Sequence, residues 1–343
     1  MNLRTTILIM SGFGVISDSI LIAFYPQFFE TRYGVTSPVH VGAYIAAISI
    51  AVMCMLPVWA RVARRIETMH LLLYTQGAAA LFCLASIWAP SVESYWVLSL
   101  MMFMTKASYL LMFPYLMRLE EPQNHSLVIG LLSVVIHIGA IFGAAVGGMA
   151  LEHYGPSFCI ALMAAGDLAQ MALCLYLIRT GRVVKVLSRE EKSGQAPVPR
   201  RSPQALSALL KLCLLMFLFD FSAYLVRPFF TLYWEARTGL HEPLLTGLVF
   251  AIPGIVALLA LLLKHLVVQQ PRWVDHTLFN LLLGALGLAL QASESLELII
   301  IGRCLYGWAL YQVIVKLEVT LFKVSTPDAY ALSLIHISER AGK

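Results

Sequence analysis

Five ionisable side chains stand well inside long apolar stretches of this 343-residue sequence: Asp18, Lys106, Asp167, Asp220 and Arg303. Arg227 lies nearer the end of one such stretch, and His137 lies within another. A charge in hydrocarbon costs roughly 3 kcal/mol or more unless it is paired or wetted, so these residues are candidates for moving protons, pairing with one another or meeting a charged solute. His137 titrates near neutral pH and is either a relay or, more plainly, a satisfied core residue. Covalent chemistry has no such support. There is no G-x-x-x-x-G-K-[ST] phosphate loop to hold ATP, no G-x-S-x-G elbow and no H-E-x-x-H helix. The six cysteines, Cys54, Cys83, Cys159, Cys174, Cys213 and Cys304, fall in apolar runs without a C-x-x-C pair and read as small core residues.

The stretches that carry the charges have the length of membrane spans. The chain is 59% apolar and 13% charged, with a mean hydropathy of +0.80. A soluble domain carries about 25% charged residues, so lipid is the solvent such a chain needs. Runs near the roughly 20 residues required to cross a bilayer occur at 5–29, 40–60, 69–89, 95–117, 126–151, 156–178, 207–234, 244–266, 274–291 and 296–315. The first run carries Asp18 and lacks a small-residue cleavage site, so it reads as a span and not a signal peptide. Every second loop is basic: Arg4, then Arg61, Arg64 and Arg65, then Arg118, Lys264 with Arg272, and Lys316 with Lys323. Loops 90–94 and 292–295 carry no Lys or Arg. The positive-inside rule then puts the N-terminus in the cytoplasm. The net charge of +5 is modest and sits in loops, which favours membrane orientation over nucleic-acid binding.

Residues 1–179 form a six-span half. A basic connection, 180–206, with Pro197, Pro199 and Pro203, reads as a flexible cytoplasmic linker, with anionic-lipid binding as the alternative. Residues 207–335 form a second, incomplete half, and 336–343 are too polar to continue a span. The halves repeat. Asp18 and Asp220 are 202 positions apart, as are Pro26 and Pro228, and Phe28 and Phe230. Gly34 and Gly42 match Gly239 and Gly247 in spacing. Lys106-x-x-Tyr109 in span 4 matches Arg303-x-x-Tyr306 in span 10. Two repeated halves around a cytoplasmic linker are a parallel-repeat transporter pattern.

One span is glycine-rich on a single face. Gly139, Gly143 and Gly147 recur every four residues, a smooth face that lets another helix approach closely and that is expected to lie where the halves meet. With Gly130 and Gly148 they resemble the span-5 antiporter motif of the major facilitator superfamily, with Ala144 where that motif has proline. The segment Leu56–Arg65 resembles the superfamily's loop between spans 2 and 3 in its arginines, Arg61, Arg64 and Arg65, but has Ala60 in place of the gating aspartate.

That resemblance implies an all-α bundle of two six-span halves, of which about ten spans are present, either a truncated sequence or a natural ten-span form. It also implies that spans 1, 4, 7 and 10 line a central cavity. The expected pairs are then Asp18 with Lys106 and Asp220 with Arg303, each either a proton-controlled switch or a static tie between helices. Asp220→Asn is expected to abolish proton-driven transport. Tyr109, Arg227, Tyr306 and Gln312 are candidate cavity residues, with Arg227 either meeting an anionic group on the solute or snorkelling to headgroups. The resemblance implies a proton-driven exporter of an amphipathic small molecule, a monomer in a bacterial inner membrane, with no cofactor beyond the proton gradient. An importer of a small polar solute, and a transporter-like scaffold or sensor, are the alternatives.

Overall fold

The computed structural model describes residues 3–119, 125–183, 203–240, 242–266 and 276–324. Among them there are helices and no strands. α1 (Leu3–Ile22) and α2 (Tyr25–Tyr33) form the first span, followed by α3 (Pro38–Val62) and α4 (Thr68–Ser86). The fourth span joins α5 (Val92–Lys106), a 3-10 segment at Ala107–Leu111 and α6 (Met112–Leu119). α7 (His125–Tyr154) and α8 (Pro156–Arg179) complete the first half. In the second half, α9 (Pro203–Val226), a 3-10 turn at Arg227–Phe229 and α10 (Phe230–Thr238) form one span, followed by α11 (Pro243–Leu266), α12 (Thr277–Gln291) and α13 (Leu296–Val324). Among the described residues nine helical stretches are long and apolar enough to cross a membrane, Leu3–Ile22 being the first of them. The described part of the remaining one, α12, has 15 residues.

Three spans expected as single helices are broken, and prolines explain where. A helical proline lacks the N–H and clashes with the carbonyl four residues back. Pro26 therefore opposes residue 22, where α1 ends. Pro228 lies in the 3-10 turn that ends α9, and Pro114 follows the 3-10 segment of span 4. The repeat extends to the other ends of α2 and α10. Gly34 and Gly239 close them in left-handed conformation, with φ of 68° and 67°. Glycine adopts that backbone without the penalty a Cβ brings. Pro203 belongs to the first turn of α9 and not to the linker, a position where its missing N–H costs nothing. The rest of the candidate linker, 184–202, and the tail after residue 324 lie outside the described residues.

The first half alternates up and down. One end gathers Ile7, Met10, Leu56, Leu116 and Leu177, and Arg61, Arg64 and Arg65 are exposed there at the end of α3 and in the turn after it. The other end is aromatic: the Phe29 ring lies 5.0 Å from Tyr44 and 5.7 Å from Tyr95. Arg32 on α2 ties this end together by donating to the carbonyls of Ser86 and Ile87, 3.3 Å and 2.5 Å away, at the C-terminus of α4. Ser86 ends the helix and Ile87 caps it; the Ser86 carbonyl also accepts from the Ala89 N–H at 3.3 Å, and both carry the negative dipole end, so a cation suits them. Cys83, Cys159 and Cys174 are buried as expected of core residues, whereas Cys54 is exposed on α3.

The halves meet at the aromatic end. Thr231 on α10 donates to the Ala23 carbonyl at 2.7 Å, and Gln27 on α2 donates to Thr231 at 3.2 Å. Ala23, Phe24, Ala144, Phe230 and Trp234 form one apolar cluster across this junction. α7 packs on both α1 and α11.

The glycine face of α7 does not look across the junction as expected. A Cβ at Gly139 would stand 3.0 Å from Val15, one at Gly143 would stand 2.6 Å from Ser19, and one at Gly147 would overlap the Ile20 carbonyl. All three partners belong to α1, inside the same half. The side of α7 that meets the second half carries His137, Ile141 and Ala144, and there the glycines are supplied by α11: Gly254 lies against Ile141 and Gly247 against the Ala144 carbonyl.

Candidate functional site

Lys106 is the last residue of α5, at the point where the backbone tightens into the 3-10 segment. Its Nζ lies 2.7 Å from Asp18 Oδ1 on α1 and 2.6 Å from Asp167 Oδ1 on α8. It also donates to Ser17 Oγ at 3.0 Å. An ammonium has three N–H groups, and three oxygens surround this one. Ser17 donates its own O–H to the Met163 carbonyl at 2.8 Å, and Tyr109 donates to Asp18 Oδ2 at 3.3 Å. Asp18, Lys106 and Asp167 are 5%, 1% and 0% exposed.

Local sequence makes this assembly possible. Gly166 precedes Asp167, and a Cβ there would stand 2.7 Å from Ser17, so glycine lets α8 seat against α1. Gln170, one turn further on, donates to the Met10 carbonyl at 2.8 Å and holds the same contact. The geometry thus brings Asp18 and Lys106 together and adds Asp167, which the cavity pattern of spans 1, 4, 7 and 10 had left out. The signal available in the sequence was an aspartate beside a glycine in an otherwise apolar run.

The second half is arranged differently. Arg303 is 4% exposed. Its Nε donates to the Val249 carbonyl at 3.3 Å, a terminal nitrogen donates to the Phe250 carbonyl, and the guanidinium lies 3.8 Å from the centre of the Phe230 ring. The expected partner Asp220 is also buried, on α9, but Arg303 is directed to α11 and α10. Arg227 and Arg303 approach the same Phe250 ring, at 5.9 Å and 5.8 Å. Two cations therefore lie near one aromatic ring.

Tyr109 belongs to the charged cluster and is buried within it, with its hydroxyl on Asp18. Tyr306 is half-buried, with its backbone against α12: a Cβ at Gly287 would stand 2.7 Å from the Tyr306 nitrogen. Gln312 is buried on α13. Gly130 lies in the second turn of α7, and Gly148 is buried further along it. His137 Nδ1 lies 2.7 Å from the Ser133 carbonyl one turn back, the local bond of a satisfied core histidine. Among the described residues no cluster of three or more His, Cys, Asp or Glu side chains could hold a metal ion.

Two solved structures share the backbone fold over nearly the whole chain. The human organic anion transporter MFSD10 (TETRAN) superposes with a TM-score of 0.69 at 16% identity, covering 100% of this chain and 91% of that one. A bacterial homolog of the human lysosomal transporter Spinster, inward-facing and occupied, gives 0.68 at 11% identity, covering 99% and 78%. The fold is that of the major facilitator transporters. Neither a family model nor a curated protein matches the sequence. In this helical bundle the first half carries a closed Asp–Lys–Asp cluster. The second half carries two arginines around Phe250, and α7 and α11 form the seam between them.

Proposed function

We propose that the protein is a secondary active transporter, not an enzyme, that exports an amphipathic small molecule in exchange for protons by alternating access. The observation that supports it best is the charged cluster of Asp18, Lys106 and Asp167. Ions buried on three separate helices hold those helices together while paired, and protonating a carboxylate weakens the tie. A ligand or proton that binds one arrangement of the halves better than the other shifts the population toward it. The glycine contacts at Gly247 and Gly254 supply a smooth seam on which the halves can rock.

The cargo carries a negative group in this proposal. Arg303, buried as the halves stand, and Arg227 gather positive charge beside Phe230 and Phe250, which suits an anionic amphipath once the halves part there. The name of one structural neighbour, an organic anion transporter, is in keeping with that class. The basic loops support a plasma-membrane protein with a cytoplasmic N-terminus.

The test uses purified protein in proteoliposomes with an imposed proton gradient and a panel of anionic, neutral and cationic amphipathic dyes. Proton-dependent movement of the anionic dye toward the acidic side is the expected result. Dye movement that ignores the gradient removes the coupling. Absence of movement for every dye, with intact protein in the vesicles, favours a scaffold.

A further inference from the structure

The Asp18–Lys106–Asp167 cluster has two carboxylates and one ammonium, all three buried. With all three ionised it carries one net negative charge. A dry site does not tolerate an uncompensated charge; it takes up a counter-charge or a proton. The unequal surroundings of the two carboxylates show where a proton fits. Asp18 has Lys106 at Oδ1 and the Tyr109 hydroxyl at Oδ2. Asp167 has Lys106 at Oδ1, but its Oδ2 is buried and receives no hydrogen bond. The Ser17 hydroxyl accepts from Lys106 at 3.0 Å and donates to the Met163 carbonyl at 2.8 Å. The other titratable side chains facing the cluster are Cys83 on α4 and Tyr25 on α2. Thiols and phenols are ordinarily neutral at neutral pH, so neither supplies the missing charge.

We propose that Asp167 and Asp18 share one exchangeable proton across Lys106, so that the first half alone forms a one-proton site. The inference rests on the proton-coupled reading above and assigns its proton to a place. In the resting cluster the proton sits on Asp167, and Asp18 with Lys106 forms a neutral pair. Loss of that proton leaves the ammonium between two anions. The proton is transferred from and to water without any bond to carbon changing, so no further reactant enters.

The site is testable without transport. Infrared difference spectra of the purified full chain in detergent, recorded between acidic and alkaline pH, report a buried carboxylic acid by its C=O stretch. The expected result is one such band in the wild type, lost in Asp167→Asn and lost equally in Asp18→Asn. Each of those variants leaves one carboxylate facing one ammonium, a neutral pair with nothing to titrate. Lys106→Gln moves the other way and strengthens the band, because two carboxyls then lack a cation. Asp167→Glu restores a band at a shifted frequency and serves if the asparagine variant does not fold. A band of undiminished size in Asp167→Asn overturns the proposal. The two ideas separate cleanly. A band lost in both asparagine variants, with transport indifferent to the gradient, keeps the site and removes the coupling. Gradient-driven transport with the band untouched by Asp167→Asn does the reverse.

Discussion

The carbonyl of Ala144 on α7 faces Gly247 on α11 so closely that a Cβ at 247 would stand 2.9 Å from it. This is a backbone contact between the two halves, and it occurs at the position where the superfamily's motif has proline. Gly247→Val is therefore expected to push the halves apart at the seam while leaving each half folded. Membrane insertion and yield should remain near wild type, and counterflow of the anionic dye should fall by about tenfold or more, in line with overpacking costs of about 1–3 kcal/mol. Unchanged counterflow would mean that the seam does not move in the cycle.

Gly143 tests a different contact. Its missing side chain accommodates Ser19 and the Ile16 carbonyl of α1, within the first half. Gly143→Leu is expected to lower the thermal midpoint of the detergent-solubilised protein, through a loss of about 3 kcal/mol or more, since backbone on the opposing side cannot give way. A variant that melts as the wild type but fails to transport would put the glycine face back at a moving surface.

Lys106 holds two acids, so removing it alone and removing all three groups have opposite expectations. Lys106→Met leaves two carboxyls without their cation and is expected to cost about 3–5 kcal/mol of stability, the usual penalty for breaking a buried pair. Adding Asp18→Asn and Asp167→Asn should recover most of that loss, because no ion is then left unmatched. Thermal melts of the single and triple variants measure the coupling.

Asp220→Asn and Arg303→Lys separate proton from cargo. With proton exchange assigned to the first half, Asp220→Asn is expected to keep gradient-driven counterflow at reduced rate, whereas Asp18→Asn loses it. Equal loss in both would return Asp220 to the role of proton carrier. Arg303→Lys gives up a planar fork that serves the Val249 and Phe250 carbonyls together. Affinity for the anionic dye should drop by about tenfold, the worth of one charge-assisted hydrogen bond, with the neutral dye unaffected.

The duplication was legible because charged and conformationally special residues are scarce in apolar sequence. Asp18 with Asp220, Pro26 with Pro228 and Gly34 with Gly239 each mark a matched place in the two halves, and the last two pairs mark matched backbone breaks. Partner choice was not legible to the same degree. Asp167 reaches Lys106 because Gly166 lets α8 come close to Ser17, a tertiary fact that spacing along one helix cannot report. The direction of the glycine face was hidden for a similar reason. Spacing places Gly139, Gly143 and Gly147 on one side of α7, but α1 and α11 both lie against that helix, and only packing decides between them.

Lys106 sits at the mouth of five residues wound as a 3-10 helix. That winding rises about 2.0 Å and turns about 120° per residue, against about 1.5 Å and 100° for an α-helix. The segment is therefore a screw thread cut into the middle of the fourth span. Rewinding Ala107–Leu111 to α pitch would draw α6 toward Lys106 by about 2.5 Å and rotate it by about 100°. Tyr109 rides on that thread, so the turn that would swing α6 would also lift the phenol from Asp18. A rewinding of that one short stretch would gear the axial stroke of one span to the exposure of an acid on another.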